Sequence, residues 1–380
     1  MKVLGIDTSC DDTSVAVVES QNNSTLEVLS NIVSSQIELH KGYGGVFPML
    51  AKREHQKNLV RVLGEALQKS QLLKISEKNI DYSQDKTLAA ILEREPELHK
   101  ELVAFLAKYQ RPQIEAIAVT QGPGLEPCLW VGLNFAKALN YVWNIPIIPV
   151  HHVEAHLLSA WLDNANLANI SFPALALIVS GGHTQLIFCK KIGEYKIIGE
   201  TLDDAAGECF DKVARILGLG YPGGPIIEKV AREPSNVKVS FPRPMLKSLN
   251  FDFSFSGLKT AVLYDAKKKC HGACDKDYTV AAAKEAQASI IEVLVKKTIS
   301  AAIKFDVKTI IIGGGVSASQ YLRDELTKTA AQKLPLVKVI IPARQYSTDN
   351  GAMVATTAIL HPRPKSDYKS EMPADSNFQL

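Results

Sequence analysis

Two short apolar runs, residues 3–6 and 14–18, flank the polar stretch Asp7-Thr8-Ser9-Cys10-Asp11-Asp12-Thr13. That pattern predicts a β-hairpin with an acidic, hydroxyl-rich tip. Around Ala174 it returns, with an apolar run over 174–179, a small polar tip Ser180-Gly181-Gly182-His183-Thr184 and a second run over 185–189. Hairpins repeated about 170 residues apart, each followed by helical and strand patterns, predict two similar α/β halves with a cleft between them rather than one doubly wound sheet.

Between the hairpins, Leu59, Val60, Leu63 and Leu67 stand at helical spacing and predict a helix over 47–69. A strand over 115–120, the turn Gly122-Pro123-Gly124, a helix entered at Pro127 and a strand over 145–150 follow. Residues 82–112 interrupt this order. They are charged and helix-prone, divided by Pro96, and read as an inserted helical pair whose apolar faces the same lobe or a partner must cover. The second half carries helical patterns over 205–217 and 284–304, then a strand over 308–312 that runs into Gly313-Gly314-Gly315 and a helix from Ser317. The expected division is a first lobe over 1–150, with the 82–112 insertion, and a second over 151–360. The polar, proline-containing residues 361–380 are expected to form a flexible tail.

At 380 residues, with 46% hydrophobic and 22% charged residues, the chain is of ordinary globular composition and long enough for two cores. Lys+Arg 43 against Asp+Glu 40 leaves +3, so bulk charge points to no nucleic acid and any such site must be local. The six cysteines include no C-x-x-C pair, which predicts free thiols in a reducing compartment. The amino terminus reads straight into a strand and no apolar run approaches the ~20 residues of a bilayer span. A cytoplasmic location and no membrane role are expected.

The tips at residues 8–13, 180–184 and 313–318 sit at strand ends, where glycine or a hydroxyl residue lets backbone amides approach phosphate. Tight turns explain any one of them; three together point to a nucleotide-type ligand. In Pro149-Val150-His151-His152-Val153-Glu154-Ala155-His156, His152 and His156 are four apart at a helix start, on one face and within chelating distance. Asp349 is a carboxylate from the other half able to reach across a cleft, or a helix N-cap. A metalloprotease helix requires Glu directly after the first His, and here Glu154 is two residues on. Cys270-His271-Gly272-Ala273-Cys274 has zinc-ligand residue types without a partner pair, and Lys267-Lys268-Lys269 is a solvated face or a phosphate contact.

Taken in order, these segments and several others resemble the tRNA threonylcarbamoyladenosine transferase family, TsaD-type with Kae and Qri relatives, once called glycoproteases. The matching stretches are residues 5–11, HKGYGGVFP at 40–48, 122–125, 151–156, VSGGHTQ at 179–185, DDAAGECFDK at 203–212, YPGGP at 221–225, FSFSGLKT at 253–260, GGVSA at 314–318 and TDNGAM at 348–353. The resemblance implies the ASKHA architecture, the duplicated two-lobed actin-like fold. It also implies transfer of threonylcarbamoyl from threonylcarbamoyl-AMP to the exocyclic amine of the adenosine 3′ of the anticodon, in tRNAs reading ANN codons. By position His152, His156 and Asp349 match the family's ligands for one divalent ion, Fe2+ or Zn2+. Ile178, Val179, Ser180, Gly181, Gly182, Asp211, Gly224, Glu228 and Ser319 match its substrate-binding positions. Asp11 or Asp12 is the candidate to orient or deprotonate the attacking amine. Implied partners are tRNA, a TsaB-like paralogue and a TsaE-like ATPase.

The chain departs from the family pattern with Asp12 and Met49 in place of Glu, Ser319 in place of Asn, Glu126-Pro127-Cys128 in place of small residues, and the 82–112 insertion. Competing readings are an ASKHA small-molecule kinase, a non-catalytic nucleotide-binding subunit and, with the H-E-x-x-H order absent, a protease.

Overall fold

The computed structural model describes residues 1–21, 25–77, 80–163, 170–270 and 272–380. The chain divides into two compact units, one of Met1–Glu38, Val46–Leu167 and Asp349–Leu380, the other of Leu39–Gly45 and Ala168–Thr348. Each holds one five-stranded mixed sheet.

In the first unit β1 (Lys2–Asp7), β2 (Asp12–Gln21) and β3 (Thr25–Ser35) form an antiparallel meander; β4 (Ala116–Gly122) joins β1 in parallel and β5 (Ile147–His151) joins β4, giving the order β3-β2-β1-β4-β5. The second unit repeats this with β6 (Ala174–Val179), β7 (Thr184–Lys191), β8 (Glu194–Glu200), β9 (Thr309–Gly313) and β10 (Lys338–Ile340), in the order β8-β7-β6-β9-β10. Both hairpins read from the sequence are present, and so is the duplication.

A short α1 (Ile37–Lys41) is divided between the units after Glu38; helices of the first unit are α2 (Pro48–Lys69), α3 (Lys86–Ile91), α4 (Pro96–Lys108), α5 (Glu126–Trp143) and α6 (His152–Leu158). Those of the second are α7 (Ala206–Ile216), α8 (Gly223–Val230), α9 (Ser256–Lys269), α10 (Lys276–Lys304) and α11 (Gln320–Lys333); α12 (Gly351–Leu360) returns to the first. Apolar faces close each core, Leu4, Ile6, Val17, Leu63 and Phe135 in one and Leu177, Phe253, Ile290 and Ile310 in the other.

Several expectations need correction. The division falls after residue 167, and both α6, which carries His152 and His156, and Asp349 belong to the first unit, because α12 packs along β1 and β2. Gly5 and Gly351 allow that approach: a Cβ on Gly5 would lie 2.0 Å from the Gly351 carbonyl oxygen. Pro96 does not break a helix but sits in the first turn of α4, where its missing N–H is harmless. Asp85 caps α3 by accepting from the Thr87 and Leu88 amides. Leu88, Leu92, Leu98 and Leu102 are buried in the first core, so their own unit covers the inserted helices. α10 starts at Lys276, capped by Asp275. Past Gly314 there is only a 3-10 turn, Gly315–Ala318, and α11 begins at Gln320.

The free-thiol expectation fails at one place, where Cys270 and Cys274 form a disulfide. The loop between α9 and α10 folds back enough to bring their Cα atoms to 4.9 Å. This leaves neither sulfur for zinc, and His271 lies outside the described residues. Cys10, Cys128, Cys189 and Cys209 form no disulfide. The carboxy-terminal segment, expected to be loose, is docked on the first unit: Ser366 pairs with Ile147 and Met372 is buried. Among the described residues no helix is long and apolar enough to cross a membrane.

Candidate functional site

β5 delivers the chain into α6, all of whose residues are buried. One helical turn sets the His152 and His156 rings at right angles to within 17°, with centroids 4.6 Å apart. The loop before α12 brings in Asp349, whose Oδ1 lies 3.1 Å from His156 Nε2 and 3.6 Å from His152 Nε2. One ligand atom from each of the three residues falls within 4.8 Å of the others. Behind them Asp7, at the end of β1, is fully buried, with Oδ1 3.8 Å from His152 Nδ1. The Ser9 hydroxyl donates toward Asp7 at 3.3 Å and Asp349 at 3.5 Å.

The electrostatics suit a cation. Burial drives the His152 imidazolium down to about pKa 4, so the ring is neutral and keeps a lone pair. His152 Nδ1 and both ring nitrogens of His156 are buried and make no hydrogen bond among the described residues. Burial, then the neighbouring Asp349, pushes Asp7 up to about 7. A divalent ion would give the orphaned nitrogens a partner and offset the repulsion between the carboxylates. Two imidazoles and a carboxylate fit zinc or ferrous iron and leave coordination positions open. The sequence reading missed Asp7 and Ser9; their place at a strand end beside Asp11 was the available signal.

Asp12, at the start of β2, has Oδ1 buried and unbonded among the described residues. Burial lifts its pKa to about 7 against the opposing hydrogen bond from Ser35. Met49 is 60% exposed on α2, and Cys128 is buried, its carbonyl accepting from the Thr8 hydroxyl at 2.9 Å.

The nine substrate-position residues are joined through bonded neighbours within the second unit. β6 ends in Ile178 and Val179, and Gly314 packs so closely there that a Cβ would lie 2.4 Å from the Val179 carbonyl oxygen. Ser180 follows, its carbonyl accepting from the Gly207 amide at 3.1 Å in the first turn of α7. One turn on, Asp211 accepts from the Gly223 amide at 2.6 Å and so caps α8, which carries Gly224 and Glu228. Glu228 accepts from the Gln320 amide at 3.1 Å, and Ser319 caps α11. The capping role is one that serine fills as well as the family's asparagine. A cavity of about 540 Å³ opens beside Glu228 and Gln320.

The glycines here fall into two classes. Gly207, Gly223 and Gly314 have no room for a Cβ, whereas one on Gly181, Gly182, Gly224 or Gly315 would meet no protein atom within 4 Å. The chain's own packing therefore does not require the second class. Open space of this kind beside backbone amides is suited to an anion.

Residues 27–82 and 96–356 match the TsaD family, described as tRNA N6-adenosine threonylcarbamoyltransferase. The chain belongs to the TsaD family. Its TsaD relatives include the tRNA N6-adenosine threonylcarbamoyltransferase of Bacillus subtilis (strain 168), 42% identical over 363 residues, covering 95% of this chain and 90% of that one. The protein of the same name from Thermosipho africanus (strain TCF52B) is 41% identical over 379 residues, covering 100% and 98%. The residues passed over within the TsaD match, 83–95, contain α3. Among solved structures, full-length HypF in its phosphate- and nucleotide-bound form superposes with a TM-score of 0.52 at 11% identity, over 95% of this chain and 55% of that one. This likeness concerns the fold alone, and agrees with the duplicated ASKHA-type α/β architecture.

Proposed function

We propose that this chain transfers the threonylcarbamoyl group of threonylcarbamoyl-AMP to the exocyclic amine of the adenosine 3′ of the anticodon, in tRNAs reading ANN codons. The product is N6-threonylcarbamoyladenosine and AMP leaves. One observation carries the reading: every position matched to a family ligand falls into one of two connected groups, the His152–His156–Asp349 trio or the chain from Ile178 to Ser319.

The carbamoyl–phosphate anhydride is already activated, so catalysis requires positioning and charge stabilisation more than bond-making by the protein. Ser180, Gly181 and Gly182, with the starts of α7 and α8, hold the adenylate; Asp211 fixes the α8 start, and Glu228 and Ser319 set the nucleoside end. His152, His156 and Asp349 hold one divalent ion, zinc or ferrous iron, which when bound supplies Lewis-acid polarisation and a template. Asp12, with a pKa near 7, accepts the proton leaving the adenosine amine, while Asp11 orients that amine. A TsaB-like paralogue and a TsaE-like ATPase complete the system, in the cytoplasm where tRNA is modified. Depleting the protein and measuring tRNA nucleosides by mass spectrometry tests this. Loss of N6-threonylcarbamoyladenosine is expected, and an unchanged level overturns the reading.

A further inference from the structure

The family match ends at residue 356, yet the residues beyond it grip the back of the metal helix. Glu154 lies between His152 and His156 on α6 and is completely buried. A carboxylate so removed from water needs charged or hydrogen-bonding partners. It finds them in the carboxy-terminal segment, where His361 Nδ1 is 2.7 Å from one oxygen and the Arg363 guanidinium 3.5 Å from the other. Just before α6, the His151 Nε2 is 2.9 Å from the Phe378 carbonyl oxygen and the two rings lie 5.0 Å apart. Arg363 closes the group by lying over the Phe378 ring at 5.0 Å.

The same segment takes hold of the end of β4. The Asp375 amide donates to the Gln121 carbonyl at 3.1 Å, and the Gln121 side chain donates to the Pro373 carbonyl. Gly122 makes room, since a Cβ there would lie 1.9 Å from the Asp375 carbonyl oxygen. Three residues further, the Leu125 amide donates at 2.8 Å to the carbonyl of Ser9, the residue whose hydroxyl lies between Asp7 and Asp349. One strand of chain thus fixes both the helix bearing two ligands and the turn behind the third.

We propose that residues 361–380 are a strap that positions the metal centre, with His361 and Arg363 as positioning residues and Glu154 as their anchor. The inference rests on the reading that His152, His156 and Asp349 hold a divalent ion. None of the strap residues belongs to the His152–His156–Asp349 trio. Their effect is exerted through the pitch of α6 and the placement of the Ser9 turn.

The test uses the full-length protein, titrated with Co2+ and followed by its visible absorption, beside His361→Ala/Arg363→Ala and a chain ending at residue 376, which lacks Phe378 but keeps the ion pairs. The expected result in both is a Co2+ dissociation constant raised on the order of tenfold and a changed absorption band, as when groups that orient metal ligands are removed. AMP binding should stay at wild-type strength, and His361→Gln, which keeps a donor, should recover most of the loss. Should the double variant fail to fold, Arg363→Ala alone takes its place beside the shortened chain. Unchanged Co2+ affinity and spectrum in both the folded side-chain variant and the folded shortened chain would overturn the strap while leaving the metal assignment standing. If His152→Ala/His156→Ala binds Co2+ as wild type does, the metal assignment falls and the strap with it.

Discussion

Strand for strand the two sheets correspond, yet the ends of matching strands carry opposite chemistry. β1 ends in Asp7, buried beside two imidazoles and a second carboxylate; β6 ends in Val179 and then Ser180-Gly181-Gly182, with open space where side chains would be. The first arrangement is suited to a cation, the second to an anion. What the pairing teaches is that topology fixes where a tip stands and leaves its charge to a handful of residues. A duplicated scaffold thereby presents two strand ends of unlike chemistry on one topology.

The contrast is broken most completely by His152→Ala/His156→Ala. Metal should fall from about one ion per chain to none by elemental analysis, with transfer reduced roughly 10³-fold as Lewis-acid stabilisation is lost. AMP binding, proposed for the other unit, should not change; if it collapses too, the separation of roles is wrong. Asp12→Asn should lower kcat on the order of 10²-fold while metal content holds. Because the wild-type carboxyl titrates at about 7, activity should rise as pH passes upward through that value and the acceptor ionises. In the Asn variant that limb should be missing, and a pH–rate profile that keeps it excludes Asp12 as the proton acceptor.

Gly181→Val sharpens the comparison on the anion side. Its Cβ meets no protein atom, so the melting temperature should be native while calorimetry with AMP reads at least tenfold weaker binding, about 1.4 kcal/mol. Gly207→Ala should behave in the reverse way, costing about 1–3 kcal/mol of stability because its Cβ lies 2.5 Å from the Ser180 carbonyl oxygen. The smallest effect is expected at Asp203. Burial works to raise its pKa, but hydrogen bonds from Ser254, Ser256 and the Phe255 and Ser256 amides outweigh it and hold the group at about 2. With the folded value below the unfolded one near 4, the stabilisation is present above pH 4 and lost as pH falls toward 2. Allowing for solvent screening, Asp203→Ala should cost about 1 kcal/mol at pH 7 and nothing near pH 2 in urea melts.

Much of this was legible in the residues, for reasons of period and spacing. The hairpins announced themselves through apolar runs broken by small polar tips, and His152 with His156 through a four-residue interval. Asp349 was visible as a ligand candidate but placed in the wrong unit, since the return of α12 depends on Gly5 meeting Gly351 across 346 residues, a pairing no local pattern encodes. The Cys270–Cys274 bond was missed because spacing was read against zinc motifs and compartment, while the turn between α9 and α10 decides it. The docked carboxy terminus was missed for a different reason. Its hold comes mainly from hydrogen bonds and ion pairs to buried groups such as Glu154 and Gln121, with Met372 its one fully sheltered apolar anchor among the described residues, so it shows no amphipathic period.

Asp349 also sets an order of events. A ribosome making this chain delivers His152 and His156 early, then all of residues 168–348, and only afterwards the residue that completes the trio. The second unit can therefore fold while the first still lacks its last strip of chain, in keeping with folding from the amino terminus during synthesis. A nascent chain stalled before position 349 carries the two histidines without the carboxylate that completes the trio.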